Sequence, residues 1–302
     1  MKKLITVLTP TYNRAHLLPD LYYSLCRQTS HQFDWIIVDD GSTDETELIV
    51  NKWLATDNSF HIEYFKKENG GKNRAINDGV KLVRTPFTMI VDSDDYLTDD
   101  AIDFLSTAAR KIEDDAKLVG VAGLRGTDEH TPLKEPLISP NGSVLATNLE
   151  RDKYRLDCDA CEVYKTSALV SHPFRVWQNE KYVPEQVVWN QIALEGFALK
   201  WYSHVTCICR YQEEGITKGS WKMLKENPMC YAMMFNHSLL TTRSYKAKVN
   251  NTLQFVSCCF IGKKPSYIFK CNSLFLGIML CVPGWLLSKR RQTQFEKYTH
   301  NI

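Results

Sequence analysis

The sequence lacks several features that would define its class at once. No G-x-G-x-x-G pattern follows the first strand-like run and no Walker A motif occurs, which argues against a Rossmann dinucleotide site and a P-loop. Lysine and arginine number 37 against 35 for aspartate and glutamate, so a nucleic-acid binder that depends on bulk charge is excluded. No internal repeat or low-complexity tract occurs. What remains is a globular chain of 302 residues, 44% hydrophobic, with one large domain or a domain and an appendage.

Long apolar segments are also missing. No apolar region of signal-peptide length follows the first three residues, so we expect a cytoplasmic N-terminus. The most apolar stretch, 274–287, is too short to span a bilayer and contains Pro283. The cations that flank this stretch are Lys263, Lys264, Lys270, Lys289, Arg290 and Arg291. Two interpretations stay open: a peripheral contact with anionic lipid at the inner face of the membrane, and a core helix.

Cysteine is present but forms no familiar framework. Of ten cysteines, Cys158 and Cys161 have a zinc-like spacing, whereas Cys207 and Cys209 do not. We therefore prefer reduced, buried thiols to a zinc site.

Strand-like and helix-like segments alternate along the first half of the chain. Strands are predicted at 4–8, 33–38, 61–65 and before residue 92, and later at 118–124, 161–166 and 201–210. Helices are predicted at 15–28, 75–83 and 99–112. A further helix is predicted to start at Ser42 or Thr43, either of which could cap it, and to end at residue 53. This alternation predicts an α/β fold with a parallel sheet flanked by helices. Residues 125–148 are predicted to form a long surface loop.

Three carboxylates, Asp92, Asp94 and Asp95, follow one of these strands within four positions. In an extended chain Asp92 and Asp94 would point to the same side, about 7 Å apart. Their repulsion favours a cation between them, and oxygen ligands suit Mg²⁺ or Mn²⁺. The alternative is a polar loop in which Asp94 or Asp95 caps the next helix.

Polar loops follow three of the predicted strands. They begin at Tyr12, Asp39 and Asp92. Because ligands of parallel α/β sheets bind at the carboxyl ends of the strands, we expect these loops to converge. The pattern predicts a nucleotide-type ligand with its phosphates at the metal.

Four motifs in order resemble those of the family-two glycosyltransferases. They are TPTYNR at 9–14, VDDGSTD at 38–44, GKNRAIN at 71–77 and DSDD at 92–95. The resemblance implies the GT-A fold and an inverting transferase that uses a nucleotide-diphosphate sugar, most often a UDP-sugar. Members of this kind assemble bacterial surface polysaccharides on saccharide or lipid-linked saccharide acceptors.

Site residues follow from the resemblance by position. Thr9, Tyr12 and Asp39 would contact the nucleoside, with Tyr12 against the uracil and Asp39 near its polar edge. Lys72 and Arg74 would lie by the nucleotide. Asp92 and Asp94 would form the D-x-D pair that binds Mn²⁺ or Mg²⁺, with Asp94 the more direct ligand.

The catalytic base would come from an acidic pair that the resemblance places near residue 185. Gln186 breaks that pair, so Glu185 is the candidate base and Glu180 the fallback. Residues 1–220 would form the catalytic domain, with a nucleotide half to about 115 and an acceptor half from 116, and 221–302 a helical C-terminal region. The rivals are an inactive GT-A domain that serves as a binding or scaffold subunit and, less favoured, a nucleotidyltransferase.

Overall fold

The structure is a computed structural model that describes residues 3–157, 160–209 and 220–299. Cys158 lies outside the described residues, as do residues 211–218, which resemble the loop that follows the last sheet strand in family-two glycosyltransferases. The chain divides into two compact units. The first unit comprises Met1–Pro173 and Asn190–Gln212, and the second comprises Phe174–Trp189 and Glu213–Ile302. The domain boundary expected near residue 220 stays a prediction.

One mixed β-sheet organises the first unit. Its strands are β1 (Ile5–Thr11), β2 (Phe33–Asp39), β3 (His61–Lys66), β4 (Phe87–Ile90), β5 (Asp95–Leu97), β6 (Leu118–Gly126), β7 (Ser143–Ala146), β8 (Ala160–Lys165) and β9 (Ala198–Cys209). The order is β3-β2-β1-β4-β8-β6-β9-β5, with β7 also paired to β9. Strands β1 to β4 run parallel, as do β6 and β9, whereas β8, β5 and β7 pair antiparallel. The predicted α/β class is confirmed, as a mixed sheet.

Helices cover this sheet. They are α1 (Leu18–Cys26), α2 (Thr46–Leu54), α3 (Lys72–Leu82), α4 (Ala101–Arg110) and α5 (Thr166–Ser171), followed by α6 (Gln186–Leu194), which crosses the boundary between the units. All seven residues of β1 are buried, as expected for a parallel strand covered on both faces. A Cβ on Gly79 would lie 2.4 Å from Leu8 Cδ1, so glycine lets α3 pack closely on β1.

Helices dominate residues 220–299, which form most of the described part of the second unit. They are α7 (Ser220–Glu226), α8 (Pro228–Thr241), α9 (Tyr245–Ile261), α10 (Leu274–Met279) and α11 (Cys281–Thr299), with a 3-10 turn at Pro265–Lys270. Phe255, Val256, Cys258 and Cys259 of α9 are completely buried and form the centre of this core. Among the described helices, none has the length and hydropathy that a bilayer span requires.

Two local predictions were wrong. Helix α2 does not begin after Ser42 or Thr43: its first residue is Thr46, whose backbone N–H donates to Asp44 Oδ1 at 3.0 Å. The backbone N–H groups of Ser42 and Thr43 donate instead to neighbouring side chains of the loops. The region 125–148 is also not entirely loop, because it contains the edge strand β7.

Candidate active site

The loops after β1 and β2 are joined by hydrogen bonds. The backbone N–H of Asn13 donates to Ser42 Oγ at 2.9 Å, and Asn13 Oδ1 accepts the N–H of Thr43 at 2.8 Å. The N–H of Ala15 donates to Asp44 Oδ2 at 3.0 Å. Because β1 and β2 are parallel, these loops meet at the carboxyl edge of the sheet, as the sequence predicts.

Two buried aspartates hold the loops after β2 and β3. Asp39 accepts the Ser42 N–H at 2.7 Å on Oδ1 and the Tyr64 hydroxyl at 2.5 Å on Oδ2. Asp40 accepts the N–H groups of Gly70 and Gly71 at 2.9 and 2.6 Å. Asp40, for which the sequence predicted no role, positions the start of α3.

Lys72, the first residue of α3, pairs with Asp92. Its Nζ lies 2.7 Å from Oδ1 and 2.9 Å from Oδ2 of that carboxylate. Burial raises the pKa of Asp92, but the charges of Lys72 and Arg125 outweigh this effect and bring it below the ordinary value. Asp92 is thus held ionised and already neutralised by a lysine.

Asp94 lies in a different environment. The chain turns here, with the Asp95 N–H donating to the Asp92 carbonyl at 3.2 Å, so the extended geometry assumed from the sequence was wrong. Burial and then the charge of Asp92 raise the pKa of Asp94, and Arg14 and Lys72 offset this only in part. Repulsion between the two carboxylates therefore persists, and a cation would relieve it.

Asp95 has a partner that the sequence did not predict. Asp95 is buried in β5, and Arg125 Nη1 lies 2.8 Å from its Oδ2. Arg125 Nε donates to the Ala160 carbonyl at 3.0 Å. Burial raises the pKa of Asp95 above its ordinary value, whereas the charge of Arg125 at 2.8 Å opposes this and favours the carboxylate form. The sequence signal for this ion pair was a single cation, Arg125, near the end of the apolar strand β6.

The remaining donor-site candidates differ in accessibility. Thr9 is fully buried and its Oγ accepts the indole N–H of Trp35 at 3.0 Å, so the hydroxyl offers no surface to a ligand in this conformation. Tyr12 is 47% exposed and could stack on a base. Arg74 Nη1 donates to the Gly70 carbonyl at 2.7 Å.

The two candidate bases have different surroundings in the second unit. Glu180 is 7% exposed and accepts the N–H groups of Met229 and Cys230 at 2.8 and 2.7 Å, at the first turn of α8. Both oxygens therefore cap a helix, which favours a structural role for Glu180, and its fallback role as base stays a prediction. Glu185 is half-buried directly before α6, as expected from the sequence.

The donor set fits a metal that is shared with a substrate. No group of three or more His, Cys, Asp or Glu among the described residues could hold an ion alone. Mg²⁺ is usually held by one or two carboxylates together with substrate phosphates. Asp94, with its raised pKa beside Asp92, fits that arrangement, whereas Asp92 is already occupied by Lys72.

The described cysteines are free thiols. Cys161 and Cys207 are buried, and the hydrogen bond with Cys161 is the main cause that raises the pKa of Cys207 well above its ordinary value. No cluster of three or more His, Cys, Asp or Glu side chains among the described residues has the geometry of a metal site, so reduced thiols stay the prediction.

The fold places the protein in a structural class. Crystal structures of Staphylococcus aureus TarS 1–349 and of the mannosyltransferase PcManGT of Pyrobaculum calidifontis superpose with TM-scores of 0.57 and 0.58, each at 17% identity and over 97% of this chain. The matches cover 92% and 83% of those chains. At this identity they establish the fold alone, which is GT-A.

A family profile gives the finer assignment. The profile of glycosyl transferase family 2 matches residues 6–171, more than half of the chain. The protein belongs to glycosyl transferase family 2, and the resemblance drawn from the four motifs is confirmed.

Curated relatives match over shorter regions. Glycosyltransferase GlyG of Streptococcus pneumoniae is 32% identical over 105 residues, 35% of this chain and 35% of that protein. Poly(ribitol-phosphate) beta-N-acetylglucosaminyltransferase TarS of S. aureus is 29% identical over 123 residues, 40% of this chain and 21% of that protein. A putative teichuronic acid biosynthesis glycosyltransferase of Bacillus subtilis, TuaG, is 32% identical over 102 residues, which are 34% of this chain and 40% of that protein. The chain thus spans well under two thirds of these relatives.

Proposed function

We propose that the protein is an inverting glycosyltransferase that uses a UDP-sugar and builds a surface polysaccharide on a saccharide or lipid-linked saccharide acceptor. The observation that carries the proposal is the carboxyl edge of β1, β2 and β4, where four linked loops bring Asp92, Asp94 and Lys72 together. Family membership supports the transferase class. Structures of TarS with UDP and UDP-GlcNAc support the donor, and a GDP-mannose complex of PcManGT keeps other nucleotides possible.

The donor site follows from these residues. Tyr12 would cover the base, and Asp39 would face its polar edge with a remaining lone pair, since a carboxylate accepts up to about four hydrogen bonds. Lys72, Arg74 and Arg14 would supply positive charge for the diphosphate.

A bound Mn²⁺ or Mg²⁺ ion at Asp94 would stabilise the negative charge that develops on the leaving UDP. The chain's own groups hold that site: Lys72 keeps Asp92 ionised and oriented, and Arg125 neutralises Asp95 behind it. PcManGT was solved with Mn²⁺, which supports this choice of ion.

Glu185 is the proposed base. An inverting transfer needs one carboxylate to take the proton of the acceptor hydroxyl while the sugar carbon is attacked opposite UDP. The two backbone hydrogen bonds of Glu180 favour Glu185 over it as the base, and Gln186 has no basic group.

The test measures UDP release with and without acceptor extract. Glu185→Gln should lower kcat about 100-fold or more, in keeping with general-base contributions, while UDP affinity stays unchanged. Glu195→Gln, another partly exposed glutamate, is the matched control. A Glu185→Gln variant that turns over at the wild-type rate would move the base elsewhere.

Gln186 is the observation that favours a second candidate function, a binding or scaffold subunit of the same fold. That candidate predicts UDP binding without UDP release under any donor and acceptor tried. A nucleotidyltransferase would release pyrophosphate instead.

We further propose a cytoplasmic protein that contacts the inner face of the membrane.

A further inference from the structure

Bulky apolar side chains are exposed along α10 and the first turns of α11. They are Phe275, Ile278, Met279, Val282, Trp285 and Leu286, with exposures from 43% to 74%. We refer to these six residues as the apolar face. Contiguous exposed apolar patches on a soluble surface mark an interaction site.

Two glycines show why these side chains share one side of each helix. A Cβ on Gly277 would lie 3.2 Å from Cys271 Cβ, and a Cβ on Gly284 would lie 2.4 Å from Val256 Cγ1. Both helices therefore press their glycine side against the core of the second unit. At about 100° per residue, Phe275 and Met279 lie opposite Gly277, and Val282 and Leu286 lie opposite Gly284. The apolar face points away from the core.

Positive charge flanks the apolar face in the sequence. Residues 227–295 contain nine of the 37 lysines and arginines and none of the 35 aspartates and glutamates. Among these cations, Lys263, Lys264, Lys270, Lys289 and Arg290 are exposed near α10 and α11 in the sequence. Arg291, grouped with them from the sequence, is 8% exposed, and its Nη1 donates to Ser257 Oγ. Arg291 therefore belongs to the core and is not one of the exposed cations.

We propose that the apolar face docks on an anionic lipid bilayer, with α10 and the start of α11 lying in the interface and the exposed cations at the headgroups. Apolar residues beside exposed lysines are the pattern of interfacial helices. A second copy of the chain is disfavoured as the occupant, because a two-fold interface would bring this cationic surface against itself. This proposal identifies the residues that would form the membrane contact proposed above. It does not depend on any step of the transferase chemistry.

Flotation of the full chain with lipid vesicles tests the apolar part. We compare vesicles of phosphatidylcholine alone with vesicles containing about 30% phosphatidylglycerol. The variant Phe275→Ser/Val282→Ser/Leu286→Ser should bind the anionic vesicles at least ten-fold more weakly than wild type. Leu48→Ser/Leu145→Ser removes two leucines of the first unit that are 53% and 57% exposed, and this control should float like wild type.

A second set of variants tests the charge. Lys270→Gln/Lys289→Gln/Arg290→Gln should weaken binding about five-fold for each charge removed, and added salt should weaken wild-type binding in the same direction. Lys52→Gln/Lys111→Gln, from exposed positions of the first unit, is the matched control. Thermal unfolding checks that every variant is folded.

The flotation, light-scattering and UDP-release results distinguish a lipid contact from a dimer contact and from a failure of the proposed function. Failure of the wild type to float with anionic vesicles, or equal flotation of the serine variant, would overturn the proposal. Light scattering that finds a wild-type dimer and a monomeric serine variant would assign the face to a second copy instead. UDP release is measured in parallel on a water-soluble acceptor, so a failed transferase assay with intact flotation would count against the proposed function alone.

Discussion

Charge at Asp92 and Asp94 is balanced unequally. Lys72 neutralises Asp92, whereas Asp94 is half-buried beside a carboxylate and its pKa is raised by burial and by that neighbour. The uncompensated negative charge at Asp94 would favour a bound cation, and that cation could in turn bind a diphosphate.

Asp94→Ala should therefore abolish turnover and remove the Mn²⁺-dependent part of UDP binding. Calorimetry with UDP in Mn²⁺ and in excess EDTA measures this effect. Asp114→Ala, an exposed carboxylate of the first unit, serves as the control. Full activity in excess EDTA would contradict the metal role.

The buried pair of Arg125 and Asp95 makes a separate prediction on stability. Their side chains are 15% and 7% exposed, so Arg125→Met leaves a buried carboxylate without its cation. We expect the free energy of unfolding to fall by about 3 kcal/mol, measured by urea denaturation. Asp95→Asn added to Arg125→Met should recover part of the loss. If the double variant is no more stable than Arg125→Met, the pair is not what holds this loop.

At the scale of elements, Glu180 fastens the segment before α6 to the start of α8. Its carboxylate binds the first free N–H groups of that helix, where the helix dipole also favours negative charge.

Glu180→Gln replaces one acceptor oxygen with an NH₂ group, which cannot accept an N–H, so one of the two backbone hydrogen bonds is lost. The free energy of unfolding should drop by about 2 kcal/mol, while kcat per folded molecule stays unchanged. The result is read against Glu185→Gln, for which the reverse is expected. A loss of kcat at unchanged stability in Glu180→Gln would return this residue to the list of bases.

At the scale of the whole molecule, the linked loops of the first unit should respond to donor and metal together. UDP with Mn²⁺ should raise the Tm, because a ligand at 100 times its Kd stabilises the native state by about 2.7 kcal/mol. A panel of nucleotide sugars in the same assay identifies the donor. UDP without a divalent ion should give a smaller shift, and equal shifts in Mn²⁺ and in EDTA would contradict a shared metal site.

Sequence alone determined the parts that depend on local pattern. Apolar runs predicted strands at 33–38 and 61–65, and the structure has them at Phe33–Asp39 and His61–Lys66. The polar residues after Thr11 and Asp39 were expected at one edge because parallel strands end together, and Asn13 links the two loops there.

Tertiary structure decided which partner each of these side chains has. Lys72 meets Asp92 across 20 positions, Trp35 reaches Thr9 across 26, and Glu180 binds α8 across 49 to 50. Neither periodicity nor turn chemistry extends over such separations, so a buried threonine, a neutralised aspartate and a helix-capping glutamate look the same in sequence as residues that bind a substrate. Only the packing of strands and helices brings these distant positions within hydrogen-bonding distance, and this packing separates the structural carboxylates from those available to a ligand.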